Sequence, residues 1–234
     1  MSTIPLFTGL EDQIGTGVTC FGELITLEGT YESVTWTALP PQVVAGETYL
    51  ADGAGFSYSS SLDFDFFEAG ATLTDCADLQ SIYVNMEHSY MGDLGITISC
   101  PNGTVVDLVL WGTNGGGGTF LGQALDDATN TPGVGWDYYW APDATNGTWG
   151  ASVTAGLTTA VTTPTNGTSL SPGTYAAQGN LCDLVGCPLN GSWVFSVTDN
   201  LAADNGFIFE WGLNLNPELY PGITTFTPSI GEAS

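Results

Sequence analysis

"LQSIYVNMEHSYMGDLGITISCPNGTVVDLVLW", residues 79–111, decides the fold. Ile82, Val84 and Met86 alternate with more polar neighbours, the period of a half-buried strand. "SYMGD" breaks the alternation, "LGITISC" resumes it, and "PNG" interrupts it again before "TVVDLVLW". Asn-Gly at 102–103 is a strong hairpin signal, so the stretch is expected to form a three-strand meander. His88, the only histidine in 234 residues, closes the first of these strands. Whether its ring is a catalytic base, a metal ligand or a packed side chain depends on the partners the rest of the chain offers.

Those partners include no cation. The chain has no lysine and no arginine against 25 acidic residues, a formal net charge of −25. Nucleic acid is excluded as a partner, because binding it rests on Lys and Arg displacing counterions from phosphates. An anionic membrane surface is excluded for the same reason. Carboxylates must face water, accept hydrogen bonds or take a cation from solution. Trypsin-like proteases find no site, an advantage outside a cell. With 43% hydrophobic and 12% aromatic residues, the chain is no acidic disordered tail and can bury a large core.

Other segments repeat the strand pattern. "FSYSSSLDFDFF" (56–67) sets Phe56, Tyr58, Leu62, Phe64 and Phe66 against serine and aspartate. "GSWVFSVTD" (191–199) and "FIFEWGLNL" (207–215), joined by "NLAADNG", read as a long-looped hairpin. "GELITLEGTYESVTWTAL" (22–39) reads as two short strands, and Pro40-Pro41 as a boundary. Residues 126–190 are rich in Thr, Gly, Asn and Pro and are expected to be long loops with short strands. About ten strands without helices predict an all-β antiparallel sandwich. The expected organisation is a β-rich N-terminal segment over 1–49 (extra strands or part of an Ig-like unit), the sandwich over 50–216, and a proline-rich linker over 217–234.

"MSTIPLFTGLEDQIG" has neither the basic start nor the apolar stretch of a signal peptide. Export would therefore make this chain part of a longer product. Five cysteines leave one odd. "CDLVGC" could close a small loop between Cys182 and Cys187, with Cys76 meeting Cys100, or the thiols could be free and buried.

Two segments resemble the P domain (P/homo B) that follows the protease domain of kexin- and furin-like proprotein convertases. In "VNMEHSYMGDLGITISCPNGTVVDLVL" the matching positions are Val84, His88, Gly92, Asp93, Leu94, Pro101, Gly103 and Thr104. In "LNGSWVFSVTDNLAADNGFIFEWGLNL" they are Gly191, Trp193, Asp199, Asp204, Gly206 and Trp211. The chain looks most like the protease-free form in large secreted proteins of gliding bacteria. It departs from the family in its longer, Thr-rich middle. The resemblance implies a jelly roll related in shape to galactose-binding modules, with His88, Trp193 and Trp211 in structural roles.

Four candidate sites follow. "GTSLSP" (167–172) superficially resembles a subtilisin-type nucleophile turn, but Ser169 lies in a threonine-rich loop one residue short of the required spacing, and His88 is the only base it could use. Asp199, Asp204 and Asn205 in one loop, with Asp93 and Asp78, are oxygen donors suited to Ca²⁺. "WDYYW" offers Trp136, Tyr138, Tyr139 and Trp140 as a sugar-stacking platform in a loop. "NGGGG" (114–118) lacks the lysine or following helix of a phosphate loop. The expected function is a non-catalytic structural or adhesive module of a secreted or cell-surface bacterial protein, such as a unit of a long surface protein or filament linked to gliding motility. Its partners would be neighbouring domains, other copies of itself or a glycan. The alternatives are an accessory domain of an adjoining subtilisin-like protease and a carbohydrate-binding module.

Overall fold

A computed structural model describes residues 43–51, 55–113, 118–127 and 129–220, together with two short backbone strands nearer the N-terminus. Those two, β1 (Phe7–Thr8) and β2 (Thr30–Tyr31), pair antiparallel. They belong to a unit of Met1–Ala38 and Gly222–Ser234, distinct from the main unit Leu39–Pro221. The remainder of the strands expected over 22–39, residues 114–117 of the glycine run and Cys20 lie outside the described residues.

In the main unit the chain forms β3 (Val43–Leu50), β4 (Phe56–Phe64), β5 (Leu79–His88), β6 (Leu94–Ser99) and β7 (Val105–Val109). Next come β8 (Thr119–Phe120), β9 (Trp136–Trp140), a short helix α1 (Trp149–Thr154), β10 (Thr158–Val161), β11 (Gly167–Leu170) and β12 (Gly173–Tyr175). Two long strands, β13 (Gly191–Asp199) and β14 (Gly206–Leu215), complete it. One sheet has the order β12-β9-β5-β14-β3, the other β4-β13-β6-β7. The orders β3-β14-β5-β9 and β4-β13-β6-β7 are those of a jelly roll, with β12 added at one edge. A smaller sheet, β10-β11-β8, joins two short strands of the region expected to be long loops with short strands to β8, which precedes that region.

The alternation seen in the sequence builds the core between the two large sheets. Trp193, Phe195 and Val197 of β13 and Ile96 and Ile98 of β6 face Val84, Met86, Trp140 and Trp211, all buried. Phe195 stacks on Trp211 with ring centroids 5.1 Å apart. Trp211 also donates its indole N–H across the sandwich to Ser60 Oγ at 2.6 Å. Each such side chain contributes about 1.5–3 kcal/mol through burial. Ile208 and Trp211 both face inward although three residues apart. A bulge between Ile208 and Glu210 makes this possible by inserting Phe209 and resetting the alternation.

Two expectations about strand connection are corrected here. Residues 79–111 are not a meander, because β5 belongs to one sheet and β6 and β7 to the other. The strands 191–199 and 207–215 are likewise no hairpin, since β13 and β14 sit in opposite sheets. Both linkers are crossovers. The sandwich also begins earlier than residue 50, since β3 pairs along β14. At the other end Tyr220 stacks on Phe66 at 5.8 Å, so the start of the presumed linker packs on the sandwich.

The disulfides differ from both pairings drawn from the sequence. Cys76 joins Cys182, and Cys100 joins Cys187. Neither Cys182–Cys187 nor Cys76–Cys100 forms. Both bonds tie the segment before β13 to strand ends in the first half of the chain, closing loops of 106 and 87 residues. Two disulfides are what an oxidising exterior permits. Among the described residues no helix is long and apolar enough to cross a membrane.

Candidate functional site

The two crossovers lie side by side at one end of the sandwich. One runs from His88 through a 3-10 turn at Met91–Asp93 to Leu94. The other runs from Asp199 to Gly206. The register holds them together, with His88 opposite Gly206 and Leu94 opposite Asp199. Ser89 N donates to Asn205 O at 2.9 Å, and Asn200 N and Nδ2 both donate to Asp93 O at 3.0 and 2.8 Å. Gly206 is required here, because a Cβ would stand 2.3 Å from Glu87 O and 2.6 Å from the His88 ring.

His88 and Asp199 both occupy core-face positions of their strands, and both are fully buried. Tyr90 N donates to His88 Nδ1 at 3.1 Å, and Tyr90 O lies 3.0 Å from the same atom. With the amide as donor, the proton of a neutral ring sits on Nε2, which faces Asp199 Oδ2 at 3.8 Å. That separation is too long for a hydrogen bond. Asp199 Oδ1 accepts from Leu201 N at 3.3 Å. The ring is sealed from solvent and held by the crossover backbone, as a packed strand residue would be. Ser169, buried in β11, donates to the carbonyl of Gly122 and is not bonded to His88.

Two more carboxylates join the pair. Asp93 is 1% exposed, and Asp204 is half-buried. Asp204 Oδ1 accepts from Ser89 Oγ at 3.2 Å. Both side-chain oxygens of Asp93, Oδ2 of Asp199 and Nε2 of His88 are buried without a hydrogen-bond partner. Burial foremost, then the charges of Asp199 and Asp204, raise the Asp93 pKa to about 6, with His88 opposing. Burial likewise raises that of Asp204 against the Ser89 hydrogen bond and His88, with Asp126 and Asp199 adding to the rise. Among the described residues no three His, Cys, Asp or Glu side chains stand as a ready-made metal cage.

The remaining residues of the expected cation set are engaged elsewhere. Asp78 lies at the opposite end of β5, in a capping box, and accepts from Thr74 N, Thr74 Oγ1 and Asp75 N, each at 2.9 Å. Burial works against its ionisation, but these hydrogen bonds outweigh it and the pKa is lowered. Asn205 is a brace whose Nδ2 donates to Asp127 O at 2.7 Å and Thr129 O at 2.8 Å. Neither belongs with Asp93 and Asp199.

"WDYYW" is not a loop but strand β9, paired with β5 and β12. Trp136, Tyr138 and Trp140 point to the core; Tyr138 and Trp140 are fully buried and Trp136 packs against the core's edge. Only Asp137 and Tyr139 reach the outer face. Tyr139 stacks on Tyr83 at 5.5 Å, Asn85 Nδ2 donates to Asp137 Oδ1 at 2.7 Å, and the Tyr83 hydroxyl donates to Glu210. The sequence reading missed Tyr83, Asn85 and Glu210. Their odd-numbered or post-bulge positions opposite β9 were the signal, legible only once the pairing was known.

The class defined so far is an all-β jelly-roll sandwich with a buried acidic crossover cluster. No protein-family model matches the chain, and no curated protein matches it.

Proposed function

We propose that the chain is a non-catalytic, P-domain-like module of a secreted or cell-surface bacterial protein, with a structural and adhesive role in a long surface protein or filament. One observation carries the reading. The two segments that resemble the P domain are distant in sequence yet interlock, β5 with β14 and β6 with β13, and their His88, Asp93, Asp199, Asp204 and Gly206 meet at one crossover junction. The sealed imidazole supports a role without chemistry, since a general base must reach its substrate. Two long-range disulfides and the lack of Lys and Arg suit a protein exposed to oxidants and proteases.

Antibodies against the chain should label intact cells of the source organism without permeabilisation, and the purified protein should leave peptide and glycoside substrates intact. Labelling that requires permeabilisation, or turnover abolished by His88→Gln, would overturn the proposal.

A specific observation favours carbohydrate as the adhesive target. Tyr139, partly exposed and backed by the buried Tyr83, presents a ring on the outer sheet face beside Asp137, Asn85 and Glu210, a combination of ring surface and hydroxyl-binding groups. Neutral polysaccharides should quench tryptophan or tyrosine fluorescence in the wild type and not in Tyr139→Ala. No response in either protein removes this reading and leaves adhesion to proteins.

A further inference from the structure

We infer that the crossover junction is a calcium site, with Asp93 and Asp199 as its buried ligands and Asp204 closing it from the solvent side. The inference stands apart from the adhesive role and needs only the fold.

The argument begins with unmet polar demand. Two carboxylates at 1% and 0% exposure present three oxygens with no hydrogen-bond partner. A buried carboxylate is tolerated only when it is paired, protonated or bound to a cation. No Lys or Arg exists anywhere in this chain, so the one side chain that could pair with these acids as a cation is a protonated His88. The one imidazole faces Asp199 at 3.8 Å, beyond hydrogen-bond reach, and neither oxygen of Asp93 has a hydrogen-bond partner. Asp126 adds another negative charge near Asp204. A cation from solution answers all of these charges together.

Chemistry then selects the ion. His88 Nδ1 is engaged by the Tyr90 backbone, so at most one ring nitrogen, Nε2, faces the acids, against the several oxygens of the carboxylates. The donor set is dominated by carboxylate oxygens, the preference of hard cations and not of zinc or copper. Magnesium demands a near-octahedral cage, whereas calcium accepts irregular sets and ligands on adaptable loops. The carboxylates here do not converge as a finished cage, and Asp204 sits on an arm whose Leu201, Ala202 and Ala203 are exposed. Binding would draw that arm onto the two buried acids and fasten the two crossovers, hence the two sheets, at this end.

The test uses the whole chain, stripped with chelator, at physiological salt to suppress loose binding by the surface acids. Calorimetric titration with CaCl₂ should show one saturable site. Saturating calcium should raise Tm by about 5 °C or more, while equal MgCl₂ gives much less. Asp93→Asn should lose at least tenfold in affinity and its thermal response. In chelator the same variant should melt at or above the wild type, because it removes a buried, uncompensated carboxylate; this separates lost binding from misfolding. The surface variant Asp63→Asn should keep the full response. A wild-type Tm and titration heat indifferent to calcium, with Asp93→Asn unchanged, would mean that the acids are simply protonated and would overturn the inference. So would a saturable site retained in Asp93→Asn.

Discussion

His88 Nε2 and Asp199 Oδ2 face each other at 3.8 Å with neither side chain exposed to solvent. They hold inward positions at the ends of β5 and β13, where the next core residue would otherwise be aliphatic. Replacing one partner strands the other in a dry site and opens a cavity. His88→Leu should therefore lower stability by about 2–4 kcal/mol, read as a fall in the urea midpoint at unchanged m-value. A variant as stable as the wild type would show that the ring contributes nothing to the junction.

Gly206 tests how closely the crossovers approach. An added Cβ would lie 2.3 Å from a backbone carbonyl, that of Glu87, which cannot swing aside as a side-chain tip can. Gly206→Ala should cost about 2–3 kcal/mol or prevent folding. Gly95→Ala is the control, since its Cβ would meet only ordinary contacts from 3.6 Å outward. It should stay within about 0.5 kcal/mol of wild type. Thermal melts of the two variants side by side decide the matter.

The disulfide connectivity predicts both a map and an energy. Trypsin cannot cut a chain without Lys or Arg, so mapping needs a protease directed at acidic residues, under non-reducing conditions. It should return Cys76 linked to Cys182 and Cys100 linked to Cys187. A peptide crosslinked between Cys182 and Cys187 would contradict the structure. Each bond closes a loop of 87 residues or more, so the Cys187→Ser/Cys100→Ser pair should lose about 4 kcal/mol through the freed unfolded chain.

What the sequence disclosed was the burial face of β5 and most of that of β4. Ile82, Val84 and Met86, with Leu62 and Phe64, are buried where alternation predicts them, because a period of two survives any choice of partner strand, while Phe56 at the start of β4 stays exposed. Which strands pair was hidden. A turn such as "SYMGD" looks alike whether it returns within a sheet or crosses to the opposite one, so sequence alone does not distinguish these two crossovers from hairpin connections. "WDYYW" failed for another reason: four aromatics in five residues mask an alternation in which only Asp137 betrays the outer face. The junction was half legible. Asp93, Asp199 and Asp204 were candidates on composition alone, while the departures of Asp78 and Asn205 depended on local hydrogen bonds that no spacing announces. Disulfide partners are set by where the strand ends meet in space, which chain distance does not reveal.

Glu87 supplies a pH dependence with a definite sign. It points from β5 to the side opposite His88, is 1% exposed, and leaves Oε2 without a partner. Burial raises its pKa to about 8, against hydrogen bonds from the backbone of Gly133 and Leu125 that favour the ion. The folded-state pKa lies above the unfolded value, so the stabilising contribution is present in full below about pH 4.5 and is lost as pH rises towards 8. The wild type should weaken across that window by an amount on the order of 3–5 kcal/mol from this residue, other groups aside. Glu87→Gln keeps a side-chain oxygen for the Gly133 amide and removes the proton that must leave. It should match the wild type near pH 5 and exceed it at pH 9, with the crossover visible in urea midpoints measured at pH 5, 7 and 9. Parallel curves for the two proteins would mean that Glu87 ionises in the folded state at the usual carboxylate pH, and that water reaches it from the side of the sheet where Gly133 stands.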